Sequence, residues 1–263
     1  MTTDTALSID LHGQRALVTG GTRGMGRAIA TRLAEAGAAV LTTARTVPAE
    51  PAPGTAFVAA DVSTPEGAET IAGAARDRLG GVDVLVHNAG ASFARPGGAL
   101  ALTDEDWLLA LNTNLMSAVR LDRLLLPGMI ERASGVILHT SSVQWRRPSV
   151  SSPAYGAAKA ALTSYSKELA TEFGPHGIRV NTIVPGYIET SGARARIERI
   201  AQDQGVDVGV ARQTLIDGIG GIPLGRPGDP AEVANLVCFL ASPLASYITG
   251  AQLYTDGGNL PVI

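Results

Sequence analysis

A chain of 263 residues, 45% hydrophobic and 17% charged, is long enough to bury a sizeable core, and its length admits one α/β domain or two. Its net charge of −3 and pI near 5.8 give no electrostatic footprint for nucleic acid or an anionic membrane surface. The one cysteine, Cys238, excludes an internal disulfide; it lies in the apolar run Val-Ala-Asn-Leu-Val-Cys-Phe-Leu and reads as a small core residue.

Residues 1–10 have neither the basic nor the apolar region of a secretory signal, and no apolar run approaches the ~18 residues of a membrane span. The expectation is a cytoplasmic protein with a short N-terminal tail over residues 1–10.

In chain order, residues 15–18 form a short apolar run ending in Thr19-Gly20-Gly21. Behind it Met25, Ile29, Leu33 and Ala36 recur at helical spacing over 24–36, and Gly37 stops them. Residues 39–43 and 56–59 read as strands, the second closing at Asp61. A helix over 66–79 follows Pro65, and a strand over 82–87 ends in Asn88-Ala89-Gly90. Thr103, with Asp106 three residues on, resembles a capping box that opens a helix running to about residue 126.

A strand over 135–140, a helix over 154–173 and a strand over 178–184 follow, the last ended by Pro185-Gly186. Residues 187–225 have poorer periodicity and more glycine and charge, which predicts a mobile substrate lid. A helix over 230–241 and a strand over 252–255 precede Asp256-Gly257-Gly258. Strands alternating with helices of about a dozen residues imply βαβ units. The fold expected is a Rossmann-like, doubly wound parallel sheet flanked by helices on both faces, one domain over 1–263.

The turn Gly20-Gly21-Thr22-Arg23-Gly24-Met25-Gly26 sits between a strand and a helix. Glycines there let the backbone approach a pyrophosphate, and the helix N-terminus offers free N–H groups. After the second strand the sequence reads Thr43-Ala44-Arg45, with no acid for a ribose 2′-hydroxyl. Arg45, together with Arg23 inside the turn, suits a 2′-phosphate instead. NADP(H) is therefore expected in preference to NAD(H).

Tyr155 and Lys159 stand four residues apart, on one face of a helix, with Ser142 thirteen residues upstream of the tyrosine. An ammonium near a phenol favours the phenolate, as a proton-transferring tyrosine needs, and a serine donates to a developing alkoxide without bringing charge. The four histidines, at 12, 87, 139 and 176, are scattered singly and show no ligand spacing, so no metal is expected.

These motifs, taken together, resemble the short-chain dehydrogenase/reductase family in its single-domain branch, over nearly the whole chain. The resemblance rests on Thr19–Gly26, Asp61-Val62, Asn88-Ala89-Gly90, Asn114, Ser142, Tyr155, Lys159, Pro185-Gly186 with Thr190, and Asp256-Gly257-Gly258. It implies that Asp61 and Val62 hold the adenine and that Asn88, Ala89 and Gly90 line the cofactor cleft. By the same resemblance, Thr190 and the backbone near Ile188 meet the nicotinamide carboxamide. Tyr155 becomes the general acid/base and Ser142 the donor to the substrate oxygen. Lys159 binds the nicotinamide ribose and lowers the tyrosine pKa, while Asn114 steadies a water leading from Lys159 to solvent.

Ser92, Phe93, Ser142, Trp145 and Tyr187 are the candidates for the substrate mouth. Arg146 and Arg147 read as a solvated pair. The lid carries four arginines (194, 196, 199, 212) against four acids (189, 198, 203, 207), which gives no case for a basic docking face. The function expected is a ketoreductase or alcohol dehydrogenase acting on a small carbonyl or alcohol. A 3-oxoacyl-(acyl-carrier-protein) reductase is the rival within that class, and a non-catalytic NADP(H)-binding sensor the alternative outside it. The resemblance also implies a homo-oligomer, a tetramer built on the two long helices.

Overall fold

The computed structural model of the protein describes residues 9–93, 95 and 97–261; the tail expected over residues 1–10 lies outside them except for its last two positions. Seven strands, β1 (Arg15–Thr19), β2 (Ala39–Ala44), β3 (Thr55–Ala59), β4 (Val84–His87), β5 (Gly135–Thr140), β6 (Ile178–Pro185) and β7 (Gln252–Thr255), alternate with eight helices. The helices are α1 (Gly24–Glu35), α2 (Pro65–Leu79), α3 (Asp104–Leu111), α4 (Ser117–Glu131), α5 (Pro153–Phe173), α6 (Ser191–Gln204), α7 (Val208–Gly218) and α8 (Pro230–Ala241).

The strands form one sheet in the order β3-β2-β1-β4-β5-β6-β7, and every neighbouring pair is parallel. Its strands are apolar on both faces, as a sheet covered on both sides requires. Ala16, Val18, Val84, Val86, Val136 and Leu138 point to a core closed by α1 and α8, through Ile29, Leu33, Val233, Val237 and Cys238. The alternate residues Leu17, Leu41, Leu85 and Ile137 point to the other face, where Ile71, Leu121, Met129 and Leu169 cover them. Each fully buried side chain of this size contributes roughly 1.5–3 kcal/mol. Cys238 is completely buried in the first core.

The chain winds one way from β1 to β3 and the other way from β4 to β7, so β1 and β4 flank the point where the strand order reverses. A crevice opens there at the carboxyl ends of the strands, the place where such sheets bind ligands.

Two segments differ from the sequence expectation. The helix opening at Thr103 does form a capping box with Asp106, but it runs to Glu131 and is interrupted by a π-helical turn over Asn112–Met116. Pro127, near the expected end, is tolerated inside α4 because it faces solvent, where the carbonyl it leaves unpaired is hydrated. The glycine- and charge-rich stretch after Tyr187 folds into α6 and α7, whose buried residues are Ile197, Ala201, Ala211 and Ile216, with Tyr187, Ile200 and Leu215 against the first three. So narrow a strip leaves little periodicity to read.

Candidate active site

The N-terminus of α1 is the first component of the site. Five other helices, α2, α3, α6, α7 and α8, are capped by their own N-cap side chains, Thr64, Thr103, Thr190, Asp207 and Asp229. In contrast, α1 has Arg23 at its N-cap, with no side-chain cap and no acid in its first turn. Its free N–H groups and positive dipole end thus face the crevice and suit an anion. The backbone turn is held by Gly20 N and Gly21 N, which donate to Thr43 O at 2.8 and 3.2 Å. A Cβ at Gly26 would collide with the Gly20 carbonyl oxygen, so the tight strand-to-helix packing excludes any larger residue there.

A cleft of about 750 Å³ runs from this turn across the ends of β2, β3 and β4. Gly20, Thr22, Arg23, Gly24, Met25 and Gly26 line one end of it, Arg45, Asp61 and Val62 its far wall, and Asn88, Ala89 and Gly90 its floor, with Phe93 and Thr190 also on the lining. Asn88 staples the floor to β1: its Nδ2 donates to Thr19 O at 3.1 Å, and its backbone N–H donates to Thr19 Oγ1 at 3.1 Å. The Asp61 carboxylate accepts from Ser63 N and Oγ at 2.9 and 2.7 Å. Those bonds, the hydroxyl's foremost, together with nearby Arg45, hold its carboxyl below the usual range despite partial burial. The uncapped helix, the glycine cradle and two arginines on the lining fit a dinucleotide's phosphates.

The cleft ends at Gly90. A Cβ there would stand 2.8 Å from Asn114 Oδ1 and 3.2 Å from Lys159 Nζ, so these two side chains close the wall behind it. Asn114 owes its direction to the π-helical turn. Its Nδ2 donates to Ala91 O at 2.9 Å and to Ala110 O at 3.0 Å, while its Oδ1 accepts from Ala91 N at 3.1 Å. Lys159 is 3% exposed, donates from Nζ to Thr140 O at 2.7 Å, and lies 5.7 Å from the centre of the Tyr155 ring. Ser142, just past β5, lies near enough to the tyrosine to lower its pKa and accepts from Gln144 N at 3.2 Å. The fold therefore gathers Asn114, Ser142, Tyr155 and Lys159 behind Gly90, although none of the four is itself on the cleft lining.

The electrostatics differ from the sequence expectation. Burial pushes the Lys159 ammonium down to about 8. Burial likewise raises Tyr155, and Ser142 is what opposes it.

Other expected positions fall elsewhere. Pro185, Gly186, Ile188, Ser92, Trp145 and Tyr187 are not on the cleft lining. Gly186 packs on Asp256, Ile188 lies in the α1–α8 core, and the Tyr187 ring packs under α6 and α7. Arg146 lies over the Trp145 ring at 5.2 Å. Arg147 is not a free solvated charge: it donates to Asn259 O at 3.3 Å and abuts Gly220. Around α6 and α7, Glu189 takes both Arg194 and Arg212, at 3.3 and 2.9 Å. The histidines are not all isolated either, since His87 and His139 meet at Asp122.

A family profile described as enoyl-(acyl-carrier-protein) reductase matches residues 20–259. The 3-oxoacyl-[acyl-carrier-protein] reductase FabG of Vibrio cholerae is 38% identical over 95% of this chain and 98% of its own length; its Escherichia coli counterpart is 37% identical over the same shares. The chain belongs to the short-chain dehydrogenase/reductase family. Among solved structures, the L-sorbose reductase of Gluconobacter frateurii, in complex with NADPH and L-sorbose, superposes with a TM-score of 0.90 at 34% identity, covering 98% of this chain and all of that one. A structure described as a short chain dehydrogenase/reductase family protein gives 0.82 at 33% identity, over 96% of this chain and all of that one.

This short-chain dehydrogenase/reductase also lines its cleft with residues that sequence reasoning missed. Thr43, Ala44, Ala60, Ser63, Leu109 and Thr113 contribute. Adjacency to Arg45, Asp61 and Asn114 was the one signal for most of them; Leu109 becomes a lining residue because α3 crosses the cleft mouth.

Proposed function

We propose that the protein is an NADP(H)-preferring reductase that transfers a hydride between the cofactor and a small ketone or secondary alcohol in the cytoplasm. The observation that carries this reading is the meeting of Lys159, Asn114 and the Ser142–Tyr155 pair at Gly90, where a cleft walled by Arg23 and Arg45 ends. Bound NADPH would supply the hydride. The free N–H groups of α1 would hold its pyrophosphate, and Arg23 and Arg45 its 2′-phosphate.

In the reductive direction Tyr155 donates its phenolic proton to the carbonyl oxygen as the carbon becomes tetrahedral. Ser142 donates a hydrogen bond to the same oxygen, stabilising the charge that develops there. Lys159 keeps its ammonium at neutral pH, which favours the phenolate left behind, and Asn114 fixes the backbone of Ala91 beside it. Helices α6 and α7, entered through Thr190 at the glycine turn, would cover the substrate.

The test is oxidation of NADPH and NADH against a panel of ketones and aldehydes that includes a ketose and a 3-oxoacyl thioester. Faster turnover with NADPH supports the cofactor assignment. The names of the curated relatives favour the thioester as a second reading, and preferential turnover of it would establish that one. Tight NADPH binding without turnover of any carbonyl would make the protein a cofactor-binding sensor instead. We also assign it a homotetramer built on α4 and α5; light scattering that returns a monomer would refute this.

A further inference from the structure

The Arg146-Arg147 pair lies four and five residues after Ser142, and Asp256-Gly257-Gly258 follows the last strand; the fold brings these two segments together. The closing turn begins where β7 lies beside β6, with Pro185 paired to Thr255 and Gly186 N donating to Thr255 O at 3.1 Å. The chain then folds back on Asp256, whose carboxylate accepts from Gly258 N at 3.0 Å and from Leu260 N at 2.9 Å.

The residues of this turn fasten the exit of α7. Asn259, 5% exposed, donates from Nδ2 to Ile219 O at 3.1 Å and also to Gly221 O. Leu224 N donates to Gly257 O at 3.2 Å. Helices α6 and α7 bury few residues, and an element with so little buried surface opens easily. Its two ends therefore decide where it sits: Thr190 packed at Gly24, and this exit.

Arg147 reaches the same asparagine from the active site. Ser142 heads a turn of 3-10 helix over Val143–Trp145, in which Trp145 N donates to Ser142 O at 3.1 Å and Arg147 N to Val143 O at 2.9 Å. From the end of that turn Arg147 Nη1 donates to Asn259 O at 3.3 Å. Its Nη2 lies so close over Gly220, where φ is +80°, that a Cβ there would stand 2.0 Å from it. A guanidinium can donate from one nitrogen while another packs on bare backbone, which an ammonium with its single nitrogen cannot do.

Asn259 is thus gripped from two sides, its side chain by the exit of α7 and its main-chain carbonyl by the serine turn. We infer that Arg147 and Asn259 are positioning residues that clasp the exit of α7 to the turn carrying Ser142. The cover over the substrate and the serine that donates to the substrate oxygen then keep one relative position. The inference rests on the reductase reading for its link to turnover and deepens it; the clasp itself is a matter of contacts.

Hydrogen exchange read by mass spectrometry tests the clasp without turnover. Arg147→Met cuts it at the serine turn and should speed exchange in the peptide spanning residues 219–225. Asn259→Ala cuts it at the exit of α7 and should speed exchange in the peptide spanning residues 143–147. Exchange that changes only in the substituted segment would overturn the inference.

Kinetics test the positioning role. With the panel carbonyl that is reduced fastest, Arg147→Met should lower kcat at least ~10-fold, because a displaced donor loses its hold on the transition state, with the NADPH Kd unchanged. Added to Ser142→Ala, the same substitution should cost less than ~2-fold more, since the group it acts through is already gone. Losses that simply multiply would overturn the positioning role, whatever the change in Tm, and leave Arg147 a stabilising contact. If Arg147→Met does not fold, Arg147→Lys keeps the charge and one donor nitrogen, and a smaller loss with the same non-additivity is expected. Should the parent turn over no carbonyl, the reductase reading falls while the exchange pattern still decides the clasp.

Discussion

Lys159 carries its charge where burial opposes it, and the consequence is measurable. Its folded pKa of about 8 stands against 10.5 for the free side chain, so the unfolded chain binds the extra proton between those values. The stability this group withholds therefore returns as pH rises from about 8 toward 10.5, and its cost below that window is on the order of 3 kcal/mol. Lys159→Met is expected to raise Tm at pH 7 by several degrees while abolishing turnover; a lower Tm by calorimetry would contradict this. Tyr155→Phe keeps the ring and removes the proton, so kcat should fall at least ~100-fold with the NADPH Kd, read by fluorescence, unchanged. Arg45 is exposed on the cleft wall. Arg45→Asp should weaken NADPH and strengthen NADH, because a carboxylate repels a 2′-phosphate and accepts from a 2′-hydroxyl.

The elements show why some of the site was legible and some not. The glycine turn could be read because only residues without a Cβ fit where α1 meets β1. Gly26→Ala should destabilise the fold by 1–3 kcal/mol, the usual range of overpacking, and weaken NADPH more than tenfold; an alanine variant with parental Tm and affinity would refute the close packing. The π-helical turn carries no such signal. Nothing in Asn-Thr-Asn-Leu-Met announces an extra residue in the turn, yet Asn114 stands within it and binds Ala91 through its side chain. At its start the capping box was plain, since Thr103 and Asp106 are three residues apart. Thr103→Ala should cost ~1 kcal/mol, read as a lower urea midpoint.

For the molecule as a whole, acid is the expected weakness. His139 is neutral in the fold because burial lowers its pKa from 6.5, so the unfolded chain takes up a proton that the folded one refuses. Stability from this group is complete above about 6.5 and is lost as pH falls below it; Asp122, held low, adds a further loss below about 3.8. The Tm should drop between pH 7 and pH 5, with a smaller drop in His139→Asn; a flat profile in the parent would count against it. Among the described residues no helix is long and apolar enough to cross a membrane.

The sequence by itself determined the βαβ order, the glycine turn at the cleft and the proximity of Tyr155 to Lys159. Each depends on residues close in the chain or on a backbone shape that few residues allow. Only the tertiary structure decided that Tyr187 packs beneath α6 and α7, that burial raises Tyr155, and that His87, Asp122 and His139 meet. Those are matters of desolvation and of contacts 17 and 35 residues apart, which arise when two neighbouring strands and a covering helix are brought together and which no local pattern encodes.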